Sequence, residues 1–436
     1  MAGDWRTSTV DQIKANDSRA IAIGPFGSRM KADRYVADGV PVIRGNNISD
    51  TRTLIGDLVF VSDETADELR SCNVFPGDLV FPHRGAIGQV GIVPAGQITR
   101  YMLSTSLMKL TCNVDLVDPL FIFYYFRSRQ GRNALLRNAS TVGTPGIGQP
   151  LASLRSISVP VPPLSEQRAI AQVLGTLDDR IELNRRMSET LEAMAQALFK
   201  SWFVDFDPVR CMVEGRDSGL PKTVADLFPD SFQDSARGEI PTSWGMVPLP
   251  ELIDVNPTRP LRKGVQAPYL DMANMPTRGH SPDRVVLRTF GSGTRFLNGD
   301  TLVARITPCL ENGKTAFVDF LKPDEIGWGS TEYIVLRPKP PYPEEFAYCL
   351  ARSADFRDFA IQSMTGSSGR QRVPADSLSH FFVPSVPKPI AEMFGVLVKP
   401  LFARASAMNN EARTLATLRD TLLPKLLSGQ VAIDQI

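Results

Sequence analysis

Between Thr365 and Arg372 the chain reads Thr-Gly-Ser-Ser-Gly-Arg-Gln-Arg, hydroxyls and cations set among glycines that let a backbone come close to a ligand. That combination suits phosphate oxygens and base edges. Residues suited to making and breaking bonds are scarce. The histidines His83, His280 and His380 have no metal-ligand spacing and form no HExxH. The five cysteines (Cys72, Cys112, Cys211, Cys309, Cys349) are widely separated and contain no CxxC pair, so they read as reduced and mostly buried. No GxGxxG follows a strand, and no GxxxxGK[ST] is present. Pro340-Pro341-Tyr342 resembles part of the Asp/Asn-Pro-Pro-Tyr motif of amino-methyltransferases, but Lys339 in front of it donates hydrogen bonds and accepts none. Pro229-Asp230 is not followed by a carboxylate and lysine pair. Recognition is expected here; catalysis, metal or cofactor binding is not.

The net charge of +1 announces no polyanionic partner, so the case rests on local charge. From Arg84 to Ser165 eight basic residues face two acids, and from Arg259 to Lys314 nine face four. Such runs suit phosphate contacts. With 436 residues the chain is long enough for two to four units, and 43% hydrophobic with 22% charged residues is ordinary for a globular protein. Nothing approaches the roughly 20 apolar residues that cross a bilayer, and Met1 to Val10 is polar, so no membrane and a cytoplasmic location are expected.

The elements that must position these loops occur twice. Phe75-Pro-Gly-Asp-Leu-Val80, Arg84, Ser104-Thr105, Ser140-Thr-Val-Gly-Thr144 and Val159-Pro160 return in order as Leu297-Asn-Gly-Asp-Thr-Leu-Val303, Arg305, Ser330-Thr331, Ser363-Met-Thr-Gly-Ser367 and Val383-Pro384. Short apolar runs at 79–81, 90–93 and 106–110, matched by 301–304, 315–320 and 333–336, predict strands. A helix is expected over 119–138 in the first half and 343–363 in the second. The fold class is therefore α/β, two mixed domains in a pseudo-twofold repeat.

A long helix is expected after each domain. Ile170, Leu174, Leu177, Ile181, Leu191, Ala195, Leu198 and Trp202 recur at steps of three and four, with Asn184 and Ser188 between them. Phe394, Leu397, Leu401, Met408, Ala412, Leu415, Leu418, Leu422 and Leu426 repeat the pattern, although Pro400 and Pro424 should kink or interrupt it. Neither stripe can be buried by its own helix, so the two are expected to pair antiparallel, the alternative being that each packs on its own domain. The polar, turn-rich stretch from Val209 to Thr242 reads as a surface linker.

Pro162-Pro-Leu-Ser-Glu-Gln-Arg-Ala-Ile170, running on to Ala197-Leu-Phe-Lys-Ser-Trp-Phe-Val-Asp-Phe206, resembles the central region of type I restriction-modification specificity subunits. Leu418-Arg-Asp-Thr-Leu-Leu-Pro-Lys-Leu-Leu-Ser-Gly429 resembles their distal region, and Arg84-Gly-Ala-Ile-Gly88 and Ala304-Arg-Ile-Thr-Pro-Cys-Leu-Glu-Asn-Gly-Lys314 resemble parts of their target-recognition domains. The resemblance implies target-recognition domains at 1–163 and 244–388, spacer helices at 164–206 and 389–430, and a linker at 207–243. It implies a non-catalytic subunit that reads the two halves of a bipartite, asymmetric site on double-stranded DNA. Its partners would be two copies of a DNA adenine methyltransferase and restriction/translocase subunits, which would hold the S-adenosylmethionine, ATP and magnesium.

Base readout favours Arg for guanine, Asn or Gln for adenine, and hydroxyls for either. The polar loops supply Arg44, Asn46, Asn47, His83, Arg84, Thr141, Thr144 and Gln149 in the first domain. In the second they supply Asn274, Arg305, Ser367, Ser368, Arg370, Gln371 and Arg372. The competing readings are an enzyme, a divergent methyltransferase or nuclease that would itself bind S-adenosylmethionine or metal, and a scaffold whose repeated domains bind protein.

Overall fold

The structure, a computed structural model, describes residues 5–26, 29–49, 51–140, 143–235, 238–367 and 369–431. The chain forms two units, Met1–Leu183 with Ala412–Ile436, and Asn184–Glu411. Thr141 and Ser368 lie outside the described residues.

In the first unit, strands Ile21–Ile23, Leu107–Leu110, Leu79–Pro82 and Gly91–Ile92 form an antiparallel sheet in that order. A second sheet of five strands contains one parallel pair, Val40–Ile43 beside Tyr101–Leu103. The second unit repeats this plan. Ile253–Val255, Tyr333–Pro338, Thr301–Ala304 and Thr315–Phe317 form the antiparallel sheet, and Gln266–Leu270 lies parallel to Gly327–Gly329 in the other. Each unit also pairs its opening strand with its closing one: Arg6–Thr9 with Ser158–Val161, and Gly245–Pro248 with Phe382–Ser385.

The repeated Gly-Asp explains itself as a turn. Asp78 accepts a hydrogen bond from the Phe75 amide (2.9 Å), and Asp300 accepts one from the Leu297 amide (2.7 Å). Gly77 and Gly299 take φ values of 92° and 84°, the left-handed region where a Cβ is unwelcome. Both carboxyls are buried, and burial raises their pKa.

The expected helix over 119–138 is two helices, Pro119–Arg127 and Arg129–Leu135, and that over 343–363 is Glu344–Arg352 and Ala354–Gln362. A serine causes each break. Ser128 and Ser353 adopt extended backbone, and each side chain accepts from the amide three residues on, which caps the following helix. The run Phe121–Phe126 is fully enclosed and joins the antiparallel sheet to Ile170, Leu174, Leu426 and Leu427 in one core.

The two long helices are Leu164–Phe203 and Lys388–Leu427, here the central and distal helices. They pack together. In the first unit Leu426 and Leu427 join the core of Ile170 and Leu174 while Asp178 meets Arg419, so rising numbers on one helix face falling numbers on the other and the pair is antiparallel; in the second unit Phe199 meets Phe394. Of the expected kink or interruption at Pro400 and Pro424, the interruption does not occur: the distal helix is continuous from Lys388 to Leu427. Both prolines are exposed, as are Val396 and Asp420 four residues earlier, so each carbonyl deprived of its amide is open to water. The seams also differ from the leucine pattern. Leu397 and Leu418 are exposed, while Val398, Phe402 and Ala405 are buried, and on the central helix Asp178 and Glu192 are more buried than Leu177 and Leu191.

The expected linker is a further correction. Residues 207–243 hold the helix Asp207–Val213 and a hairpin of Phe232–Ser235 with Gly238–Pro241. Val209, Val224, Phe228 and Ile240 enter the core of the second unit, because apolar residues recur between the polar turns. No helix among the described residues is long and apolar enough to cross a membrane.

Candidate nucleic-acid interface

In each unit the loop leaving one sheet strand is hydrogen-bonded to the hairpin that follows the paired helices. In the first unit the Gly85 amide donates to the Pro145 carbonyl and the Ile147 amide to the His83 carbonyl, both at 2.9 Å, with Arg84 opposite Gly146. In the second, the Val373 amide donates to the Arg305 carbonyl (2.8 Å), and Thr307 and Gln371 are joined through the Thr307 amide (3.0 Å), with Ile306 opposite Arg372. The backbone therefore brings together Arg84 with Thr144, and Arg305 with Ser367, Arg370, Gln371 and Arg372.

Not all of these side chains are available to a ligand. Arg84, Thr144, Ser367 and Arg370 are exposed, as are Asn46 and Gln149, the latter held in the left-handed region. Asn47 is fully buried. Its amide donates to the carbonyls of Ile55 (2.8 Å) and Asp57 (3.2 Å) and its oxygen accepts from the Arg44 amide, so it builds the turn rather than reading a base. Arg44 reaches the Asp57 carbonyl at 2.9 Å. His83 is buried with Nε2 3.1 Å from the Thr105 carbonyl, and burial lowers its pKa, which keeps the ring neutral. Asn274 spends its amide on Asp271 at 2.8 Å. Arg372 grips Glu332 with Nε and Nη2 at 2.7 to 2.9 Å, a two-pronged pair that fixes the loop. Lys109, counted in the basic run, is buried and donates to the Asn73 carbonyl at 2.6 Å.

Sequence reasoning missed a polar cleft in the second unit, where Arg305 shares the wall with Asn256, Thr258, Arg259, Thr294 and Thr331. The basic run from Arg259 was its only signal. It also missed two largely buried ionic clusters, each built on an acid in a helix seam. Asp178 accepts from the Tyr124 hydroxyl (2.7 Å), Arg127 (3.1 Å) and Arg419 (2.7 Å). In the second unit Glu192 accepts from the Tyr348 hydroxyl (2.6 Å) and lies 3.5 Å from His280 Nδ1, while His280 Nε2 is 3.3 Å from Asp319. Ser406 of the distal helix donates to Asp319 and lies 3.3 Å from the same Nε2. Serine and aspartate thus share one ring nitrogen, an arrangement that cannot work as a nucleophile, base and orienter in series. Burial works against a charged His280, but its bonds and charge pairs with Asp319 and Glu192 outweigh this and lift its pKa to about 9.

A sequence profile described as the type I restriction modification DNA specificity domain matches residues 27–193. The type I restriction enzyme HindI specificity subunit of Haemophilus influenzae is 23% identical over 98% of this chain and 100% of its own length. The MjaIX specificity subunit of Methanocaldococcus jannaschii is 24% identical over 99% of this chain and 95% of its own. Among solved structures, the S subunit of a type I restriction-modification system from M. genitalium shares the fold, with a TM-score of 0.55 over 97% of this chain and 96% of that one, at 16% identity.

Proposed function

Because the chain belongs to the specificity subunits of type I restriction-modification systems, we propose that it reads a bipartite, asymmetric site on double-stranded DNA, one half with each unit, and performs no chemistry itself. One observation carries this reading: both units present the same loop-on-hairpin platform but arm it differently, with Arg84 and Thr144 on one and Ser367, Arg370 and Gln371 on the other. A guanidinium can bond the O6 and N7 of guanine together, and a glutamine amide can do the same for adenine N6 and N7. Different side chains on one backbone plan make two unlike half-sites.

The chain positions two copies of a DNA adenine methyltransferase and, in the restricting complex, the restriction and translocase subunits. S-adenosylmethionine, ATP and magnesium are held by those partners, and the complex works in the cytoplasm. Sequencing methylated adenines in cells that carry this chain with its methyltransferase tests the reading. The expected outcome is an interrupted motif of two unlike halves. A single uninterrupted motif, or adenine methylation that persists without this chain, contradicts it.

A further inference from the structure

The first unit contains a cleft of about 360 Å³ between the helix Arg129–Leu135 and the last turns of the distal helix. Arg127, Arg129, Arg132 and Arg419 line it, and Asp420 is the one acid in its wall. Arg127 and Arg419 are anchored on Asp178, so their positions are set before any ligand arrives. Arg129 and Arg132 are different: both are exposed, and neither has an ion pair or side-chain hydrogen bond among the described residues. Three residues apart on one helix, they stand side by side. The Gln89 side-chain oxygen in the same wall is enclosed without a partner, and turning that amide over offers an N–H in its place.

The second unit has the corresponding cleft, of about 330 Å³, and it is a control supplied by the repeat itself. Arg352 stands where Arg127 does, at the end of the first helix of the pair, and Arg357 where Arg132 does, four residues after the capping serine. There Arg352 is spent on the carbonyls of Thr277, Gly313, Gly279 and Thr315 and on the Tyr348 hydroxyl. Glu189 and Glu192 share the wall, and Ala354 replaces Arg129. There Arg357 shares its wall with two carboxylates, whereas in the first cleft the one acid, Asp420, already pairs with Arg419.

We propose that Arg129 and Arg132 clamp a phosphate of the DNA backbone in the first unit, and that the second unit has no such clamp. The inference rests on the DNA-reading function. DNA is favoured as the source of the phosphate because the other walls are the flanks of the recognition loops: Ser49 follows Asn46, and Gly88 and Gln89 follow Arg84. Phosphate contacts fix register and carry no sequence information. The clamp therefore helps to seat the first unit's half-site without reading its sequence.

The test uses the complex with methyltransferase, titrated with labelled duplexes over a salt series. R129Q/R132Q is expected to weaken a cognate and an unrelated duplex by the same factor and to flatten the plot of log affinity against log salt by about 1 to 2. The methylated motif and the melting temperature stay unchanged, and R357Q leaves the slope as it was. An unaltered slope in R129Q/R132Q, while the unmodified complex binds duplex normally, overturns the clamp. Selective loss of the cognate duplex, or loss of methyltransferase at constant slope, overturns it in favour of base reading or a protein carboxylate respectively. An unmodified complex that binds no duplex overturns the DNA-reading function, and the clamp with it.

Discussion

Arg370 and Arg372 lie two residues apart in one loop and differ in what holds them. Arg370 has an open guanidinium, whereas Arg372 is locked to Glu332. Arg370→Ala is therefore expected to cost about 1 to 3 kcal/mol in DNA affinity, with folding stability unchanged within about 0.5 kcal/mol. Arg372→Ala releases Glu332 and should also speed amide hydrogen exchange across residues 365–373, which Arg370→Ala should not. Equal exchange in the two variants would remove the distinction. His280 makes a pH prediction. Its folded pKa, about 9, stands above the ordinary value of 6.5, so the stability it contributes is complete below about pH 6.5 and is lost as the pH rises through about 9. The difference is on the order of 3 kcal/mol. Thermal melts from pH 6 to 10 should show this decline in the unmodified chain and a flatter profile in His280→Gln. The sequence could not reveal any of this, because a histidine or arginine in a polar stretch looks alike whether its partner is solvent or a carboxylate far along the chain.

The elements were more legible than their interiors. Period and punctuation disclosed the paired domains and both long helices, since apolar spacing and repeated turns are local properties. The breaks at Ser128 and Ser353 escape pattern reading because a capping serine inside a helical pattern resembles a tolerated one until the backbone is seen. Pro400 and Pro424 do not stop their helix because both stand on its exposed side, where water can take the place of the lost amide. Asp178 and Glu192 occupy seam positions that pattern reading assigns to leucines. Each acid ties a domain's tyrosine to the helix pair, so the junctions are polar. Asp178→Ala strands Tyr124, Arg127 and Arg419 and is expected to destabilise the protein by about 3 to 5 kcal/mol, measured by urea unfolding. Gln167 is a related tie, fully buried and bonded to the Asp118 amide and the Leu116 and Pro162 carbonyls. Its counterpart in the repeat is Ala391, which keeps the packing and drops the bonds.

For the whole molecule, the proposed function makes the helices set the separation of the two half-sites. Removing one heptad from the central helix, 183–189, together with one heptad of the distal helix shortens each by about 10 Å, equivalent to about three base pairs. Mapping methylated adenines should then show both half-sites retained and the interval between them changed. An unchanged interval would disconnect helix length from site spacing. The division of the chain has another consequence, in the order of synthesis. The second unit is one continuous stretch, whereas the first is closed by residues from the far end of the sequence, with Leu426 and Leu427 buried in its core. Domains ordinarily mature from the N-terminus as they leave the ribosome. Here the half made first must wait, its core open, until the half made second has already emerged.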